Sequence, residues 1–105
     1  MAELIILSWR DIPAQVIVRA GRKAEKRELP EMFIQAIDRA AMTAGAKDDD
    51  AYLAAWSRSP PRSVSDDLAA EADREAKRLI AAYPQERLIA LARAGGIEKE
   101  KADAP

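Results

Sequence analysis

Two short runs of apolar residues open the chain. Leu4, Ile5, Ile6, Leu7 and Trp9 fall within residues 3–9, a segment rich in β-forming side chains. In residues 15–20, Val16, Val18 and Ala20 alternate with Gln15, Ile17 and Arg19, the period of two expected of a half-buried strand. Arg10, Asp11, Ile12 and Pro13 supply a turn between them, since Asp bonds back to local backbone and Pro presets its own φ. The two runs are predicted to pair as an antiparallel hairpin, ended by Gly21. Residues 22–28 are too polar for periodicity to place, and a continued strand or a mobile loop suits them equally.

From Pro30 the period changes. Phe33, Ile34, Ile37, Ala40, Ala41 and Ala44 recur at three- and four-residue spacing, Pro30 and Glu31 suit a helix start, and Gly45 suits its end, so residues 30–44 are predicted helical. Residues 51–58 are ambiguous. Tyr52 and Trp56 stand four apart, yet Tyr52, Ala54 and Trp56 also alternate. A helix capped by Asp50 competes with a third strand, and the strand is favoured because a lone hairpin is marginal in water. Pro60 and Pro61 stop whatever precedes them. Ser63, Ser65, Asp66 and Asp67 form a helix-start signal, with a helix over 66–82 carrying Leu68, Ala72, Ala76, Leu79 and Tyr83, widened by Ala69 and Ile80. Pro84 breaks that helix at Tyr83. A last helix over 84–94 turns Leu88, Leu91 and Ala92 inward and ends at Gly95 and Gly96.

These elements make one domain of the α+β class over residues 1–94, followed by a flexible charged tail over 95–105. The expected architecture is a small antiparallel sheet, hairpin first, with one face covered by the helices at 30–44 and 66–82 and the 84–94 helix appended. The other face, lined by Ile5 or its neighbours and Ile17, is expected to stay open.

Composition narrows the chemistry sharply. The 105 residues include 23 Ala, which favours helix but gives each position little to bury, so the core rests on Leu, Ile, Val and a few aromatics. With no Cys and no His, disulfides, thiolate chemistry, imidazole-bound metals and His-based general bases are excluded. No glycine-rich phosphate loop occurs, and Asp48, Asp49 and Asp50 lack the spacing of a calcium loop, so neither metal nor cofactor is expected. Catalysis by this chain alone is disfavoured. No apolar run is long enough to span a membrane and no export leader opens the chain, which points to the cytoplasm.

The formal charge of -1 disfavours nucleic acid as a partner. Charge is nonetheless segregated: Arg19, Arg22, Lys23, Lys26 and Arg27 are opposed locally only by Glu25. That stretch is either a solvated connection, which is favoured because it holds no aromatic for base stacking, or a binder of anionic ligands. Trp9 beside Arg10, and Trp56 beside Arg58, suggest a patch, since Trp and Arg are enriched at binding hot spots, although core burial is the commoner fate of each Trp taken singly.

Particular stretches carry a family resemblance: residues 9–16, beginning Trp9, Arg10, Asp11, Ile12 and Pro13; the basic stretch Arg19 to Arg27; Leu29 to Phe33 with Ala36, Ile37 and Asp38; and Asp50 through Trp56. Over most of residues 3–90 the chain resembles a small bacterial family known as virulence factor. The resemblance implies a stand-alone domain in alphaproteobacteria and, elsewhere, a segment of the longer conserved virulence factor C. It also implies an accessory role near corrinoid- and folate-dependent one-carbon transfer. It transfers no catalytic residue, so Trp9, Arg10 and Asp11 mark membership only. The leading expectation is a non-catalytic accessory or adaptor subunit that binds a protein partner, or a second copy of itself, through Trp9, Arg10, Asp11, Ile17 and Trp56. The alternative is a module for RNA or a phosphorylated or folate-like ligand, using Arg19, Arg22, Lys23, Lys26 and Arg27.

Overall fold

The computed structural model describes residues 2–45 and 49–97. Three consecutive strands, β1 (Ala2–Trp9), β2 (Ile12–Ala20) and β3 (Lys23–Glu28), form an antiparallel meander. They are followed by α1 (Glu31–Thr43), α2 (Asp49–Ala54), β4 (Trp56–Arg58), β5 (Arg62–Val64), α3 (Leu68–Ala82) and α4 (Gln85–Arg93). The protein is an α+β domain with a five-stranded sheet, ordered β3-β2-β1-β4 with β5 also beside β1. No helix among the described residues is long and apolar enough to cross a membrane.

Both prolines of residues 60–61 fall at a joint in the sheet. β4 lies opposite Leu7, Ser8 and Trp9, while β5 lies opposite Ala2, Glu3 and Leu4 on the same edge of β1. Proline has no N–H to offer between them. Ser59 fills the gap twice over: its N–H donates to the Ile6 carbonyl at 2.9 Å, and its Oγ accepts from the Ile6 N–H at 2.8 Å. One serine therefore satisfies both backbone groups of the residue the prolines leave unpaired. A second irregularity has the same origin. The β1–β2 register shifts between Leu7, opposite Gln15, and Ser8, opposite Pro13, so that Ala14 is the extra residue of a bulge. The Ala14 carbonyl accepts instead from Leu29 N–H at 3.0 Å, which anchors the entry to α1.

The helices lie on one side of the sheet. α3 packs across β2 and β3, α1 packs against β2, and α4 packs against α1. Leu4, Val16 and Val18 of the sheet join Phe33, Ile37 and Ala40 of α1, Ala72 and Leu79 of α3, and Leu88 and Leu91 of α4 in one buried cluster. Ile5 and Ile17, which face each other across β1 and β2, alternate away from that cluster onto the opposite face.

The helical readings hold with small shifts of boundary, one open segment is resolved, and four other expectations are corrected. Residues 22–28, left open, include strand β3, because pairing with β2 satisfies a polar backbone that has no apolar period to reveal it. Residues 51–58 divide between the two alternatives: α2 ends at Ala54, and only Trp56–Arg58 is strand. Ser63 belongs to β5 rather than to a helix start. The N-cap of α3 is Asp67, whose Oδ1 accepts from the Ala70 N–H at 3.2 Å. Ile34 and Ile80, assigned to the inward stripes, are both exposed, because each lies at the margin of its helix's buried face. Gly95 and Gly96, placed at the start of a tail, are buried. The rest of that tail from residue 98, and Asp48, lie outside the described residues.

Candidate partner-binding surfaces

Trp9, Arg10 and Asp11 sit where the first hairpin meets the turn after α4. Trp9 is 0% exposed, and its indole N–H donates to the Tyr52 carbonyl at 2.9 Å. The Tyr52 ring lies 5.9 Å from the Trp9 ring and 6.1 Å, edge on, from that of Trp56. Arg10 adopts φ 53, an uncommon conformation for a residue with a side chain, as the first residue of a two-residue loop. Three contacts hold it there. Its N–H donates to the Ala55 carbonyl at 3.0 Å, its Nη1 donates to the Gly95 carbonyl at 2.9 Å, and its guanidinium lies 5.1 Å from the Trp9 ring centroid. Asp11 N–H donates to the Gly96 carbonyl at 2.8 Å. These residues form an internal clasp that ties the hairpin to α2 and to the turn after α4. Trp9 therefore has no surface to present to a partner, whereas Trp56 is half-buried.

The sheet face opposite the helices is less apolar than the alternation suggests. Ile5 is 3% exposed and Ile17 is 7% exposed, and only Leu7 adds a half-buried apolar side chain beside them. Register puts Gln15, Arg19, Lys26 and Arg58 on the same face. Long polar side chains of this kind cover apolar neighbours with their stems and keep their heads in water.

Strand alternation also disperses the basic stretch. Lys26 lies opposite Ile17 on the helix-free face, as does Arg19, which pairs with Glu3 at 3.6 Å. Arg27 turns towards the helices and pairs with Asp73 of α3 at 2.6 Å and with Glu25 at 2.8 Å. Arg22 and Lys23 remain exposed at the β2–β3 turn. Lysine and arginine along β3, the edge strand, also discourage pairing with another chain.

A groove of about 780 Å³ between α1 and α4 was not signalled by the helical stripes. Its lining includes Met32, Met42 and Ile89, with Arg39 and Arg93 among its polar side chains. Met42 is 66% exposed and Ile89 is 39% exposed. The available clue was that both lie off the inward stripes of their helices. Sequence alone does not pair α1 with α4, so it does not bring those two residues to one groove. Among the described residues no group of three or more Asp or Glu is placed to hold a metal ion.

The most buried charge is structural in its contacts. Glu75 of α3 is 5% exposed and receives Arg78, through Nε at 2.9 Å and through Nη2, together with Arg62 of β5 at 3.3 Å. The hydrogen bond from Arg78 holds the Glu75 carboxyl below its ordinary value, overcoming the burial that pushes it up, with Arg62 adding to the attraction. This cluster joins α3 to the sheet strand that follows the two prolines.

A sequence model of the family described as Virulence factor matches residues 7–92. The match runs from the last three residues of β1 to the last turn of α4 and includes the clasp residues Trp9, Arg10 and Asp11. Comparison with curated proteins and with solved structures returns no significant match.

Two outcomes test these contacts. A Cβ on Gly96 would stand 2.9 Å from Trp9 Cζ3 at a φ of +91, whereas one on Gly21 meets nothing within 4 Å at a φ of +59. Gly96→Ala is expected to cost roughly 2–4 kcal/mol in urea unfolding and Gly21→Ala about 1 kcal/mol, the difference reporting the clasp. Equal losses would remove the steric argument. For Glu75, a lowered folded pKa means its contribution is complete above the ordinary carboxylate range of about 4.3 and lost as pH falls through the folded value. Glu75→Gln is expected to be less stable at pH 7 by about 1 kcal/mol, a figure discounted because both arginines are largely solvated. Its stability should also fall less than the wild type's between pH 5 and pH 3.

Proposed function

The chain belongs to the virulence factor family, and from that premise we propose that it is a non-catalytic accessory subunit that binds a protein partner. The observation that carries the reading is the α1–α4 groove, where Met42 and Ile89 are left exposed beside Arg39 and Arg93, two arginines with no ion pair among the described residues. Methionine is flexible and polarizable, suited to a surface that moulds itself to another protein. The helix-free sheet face, where Arg58 lies, is set aside as the contact, since Ile5 and Ile17 are already covered. Absence of His and Cys from the whole chain agrees with a role that supports another protein's chemistry. The accessory role near corrinoid- and folate-dependent methyl transfer that the resemblance implies makes components of such systems the first partners to seek.

The reading predicts that untagged wild-type protein co-purifies with one stoichiometric partner, identified by mass spectrometry. Ile89→Glu should reduce recovery at least tenfold, and Arg58→Glu on the sheet face should leave it within twofold. Light scattering separates a foreign partner from a homodimer. A strictly monomeric protein that recovers nothing, or an Ile89→Glu protein that recovers as much as the wild type, defeats this proposal.

The second reading, an anionic-ligand module, is supported by the exposed pair Arg22 and Lys23, next to an open hollow lined by Glu3, Arg19, Gly21 and Ser63. On this reading, calorimetry at low salt detects RNA or a folate, and charge reversal at Arg22 and Lys23 abolishes the signal. No heat with either ligand, or no effect of the reversal, disposes of it.

A further inference from the structure

Resting on the adaptor reading above, we propose that the α1–α4 groove receives about three turns of a partner helix whose apolar stripe begins in an acidic N-terminal turn. The dimensions come from the lining. Met32, Ala36, Arg39 and Thr43 of α1 recur along one side of that helix, as do Gln85, Leu88, Ile89 and Ala92 along α4. From Met32 to Met42 the helical rise amounts to roughly 15 Å, close to three turns of a third helix laid alongside. An amphipathic helix fits such a trough with apolar side chains at positions i, i+3 or i+4, and i+7. Met32, Met42, Leu88 and Ile89 are the apolar surfaces it would meet.

The charge of the partner follows from the arginines. Arg19, Arg27, Arg62, Arg74 and Arg78 all form ion pairs within the chain. Arg39 and Arg93, both lining the groove, form none among the described residues. Asp38 is the single acidic side chain in the lining. Position along the groove then sets direction. A Cβ on Gly95, just past α4, would lie 3.3 Å from Ala44 Cβ, just past α1, so the two helices end together. Arg93 is in the last turn of α4 and Arg39 lies one turn before the end of α1, so both residues belong to the half of the groove nearer that shared end. A helix approaching with its N-terminus there runs antiparallel to α1 and α4. Its acidic first turn meets Arg39 and Arg93, and its positive dipole end meets the two negative ones.

The test uses the full chain and three capped synthetic peptides of about 14 residues. One carries Glu in its first turn ahead of leucines at helical spacing, the second replaces those Glu by Lys, and the third has the same acidic composition scrambled to destroy the stripe. Fluorescence anisotropy at low salt gives the affinities, and backbone amide shifts map the site. The acidic-start peptide is expected to bind at least tenfold more tightly than the other two, with shifts confined to α1 and α4. Arg39→Glu combined with Arg93→Glu is expected to reverse the order of the Glu and Lys peptides. Both arginines are exposed, and circular dichroism checks that the double variant folds. Equal affinity for Glu and Lys peptides, shifts outside α1 and α4, or a second copy of this chain seated in the groove each overturns the proposal. If Ile89→Glu loses the natural partner while the peptides are bound without regard to charge, this inference fails and the adaptor reading survives. If Ile89→Glu keeps the partner, the adaptor reading through this groove fails, and the peptide order still decides the groove's own preference.

Discussion

Burial of Trp9 is the constraint on which the remaining arrangement depends. A single indole occupies the junction of the first hairpin, the short helix α2 and the turn that closes α4, with its N–H bonded to Tyr52 and its ring against Gly96. In an alanine-rich chain each small side chain buries little surface. One large side chain shared by three elements separated in sequence therefore does what many small contacts cannot. Arg10 and Asp11 complete the junction with hydrogen bonds to Ala55, Gly95 and Gly96. Trp9, Arg10 and Asp11, which lie within the span that matches the family, thus join the first hairpin to the turn after α4.

That junction also explains the groove. Because the turn after α4 is fixed against the hairpin and beside the end of α1, the two helices are held side by side on the same flank of the domain. α4 packs against α1 rather than across the sheet, as α3 does. Stacking helix on helix leaves a trough on the outer side, and Met42 and Ile89 line that trough.

Charge is used in two distinct ways. Glu75 with Arg62 and Arg78, and Arg27 with Asp73, tie α3 to strands β5 and β3 at opposite edges of the sheet. Partly exposed pairs of this kind contribute little each, yet they orient a helix whose inward side is largely alanine. Arg39 and Arg93 have no such pairing among the described residues, and both line the groove.

Much of the fold was legible in the residues themselves. The alternation of Val16, Val18 and Ala20, the spacing of Phe33, Ile37 and Ala40, and the breaks at Pro30, Pro84 and Gly95 are local signals, and the strand and helices they announce are present. The family likeness was legible for the same reason, since a contiguous stretch such as Trp9 to Val16 is read without knowing what it touches. Elements that draw their stability from elsewhere were not legible. β3 has no apolar period and exists because β2 offers it a ladder, and β4 and β5 are three residues each, held by β1 and bridged at Ser59. The candidate site belongs to this second class. Exposure of Met42 and Ile89 to one groove, burial of Trp9 and Ile17, and scattering of the basic stretch over both faces of β2 and β3 and the turn between them all depend on which elements pack together. Periodicity reports how a segment is shaped. Only the packing of distant segments determines which of its side chains meet water, and that is where a partner can bind.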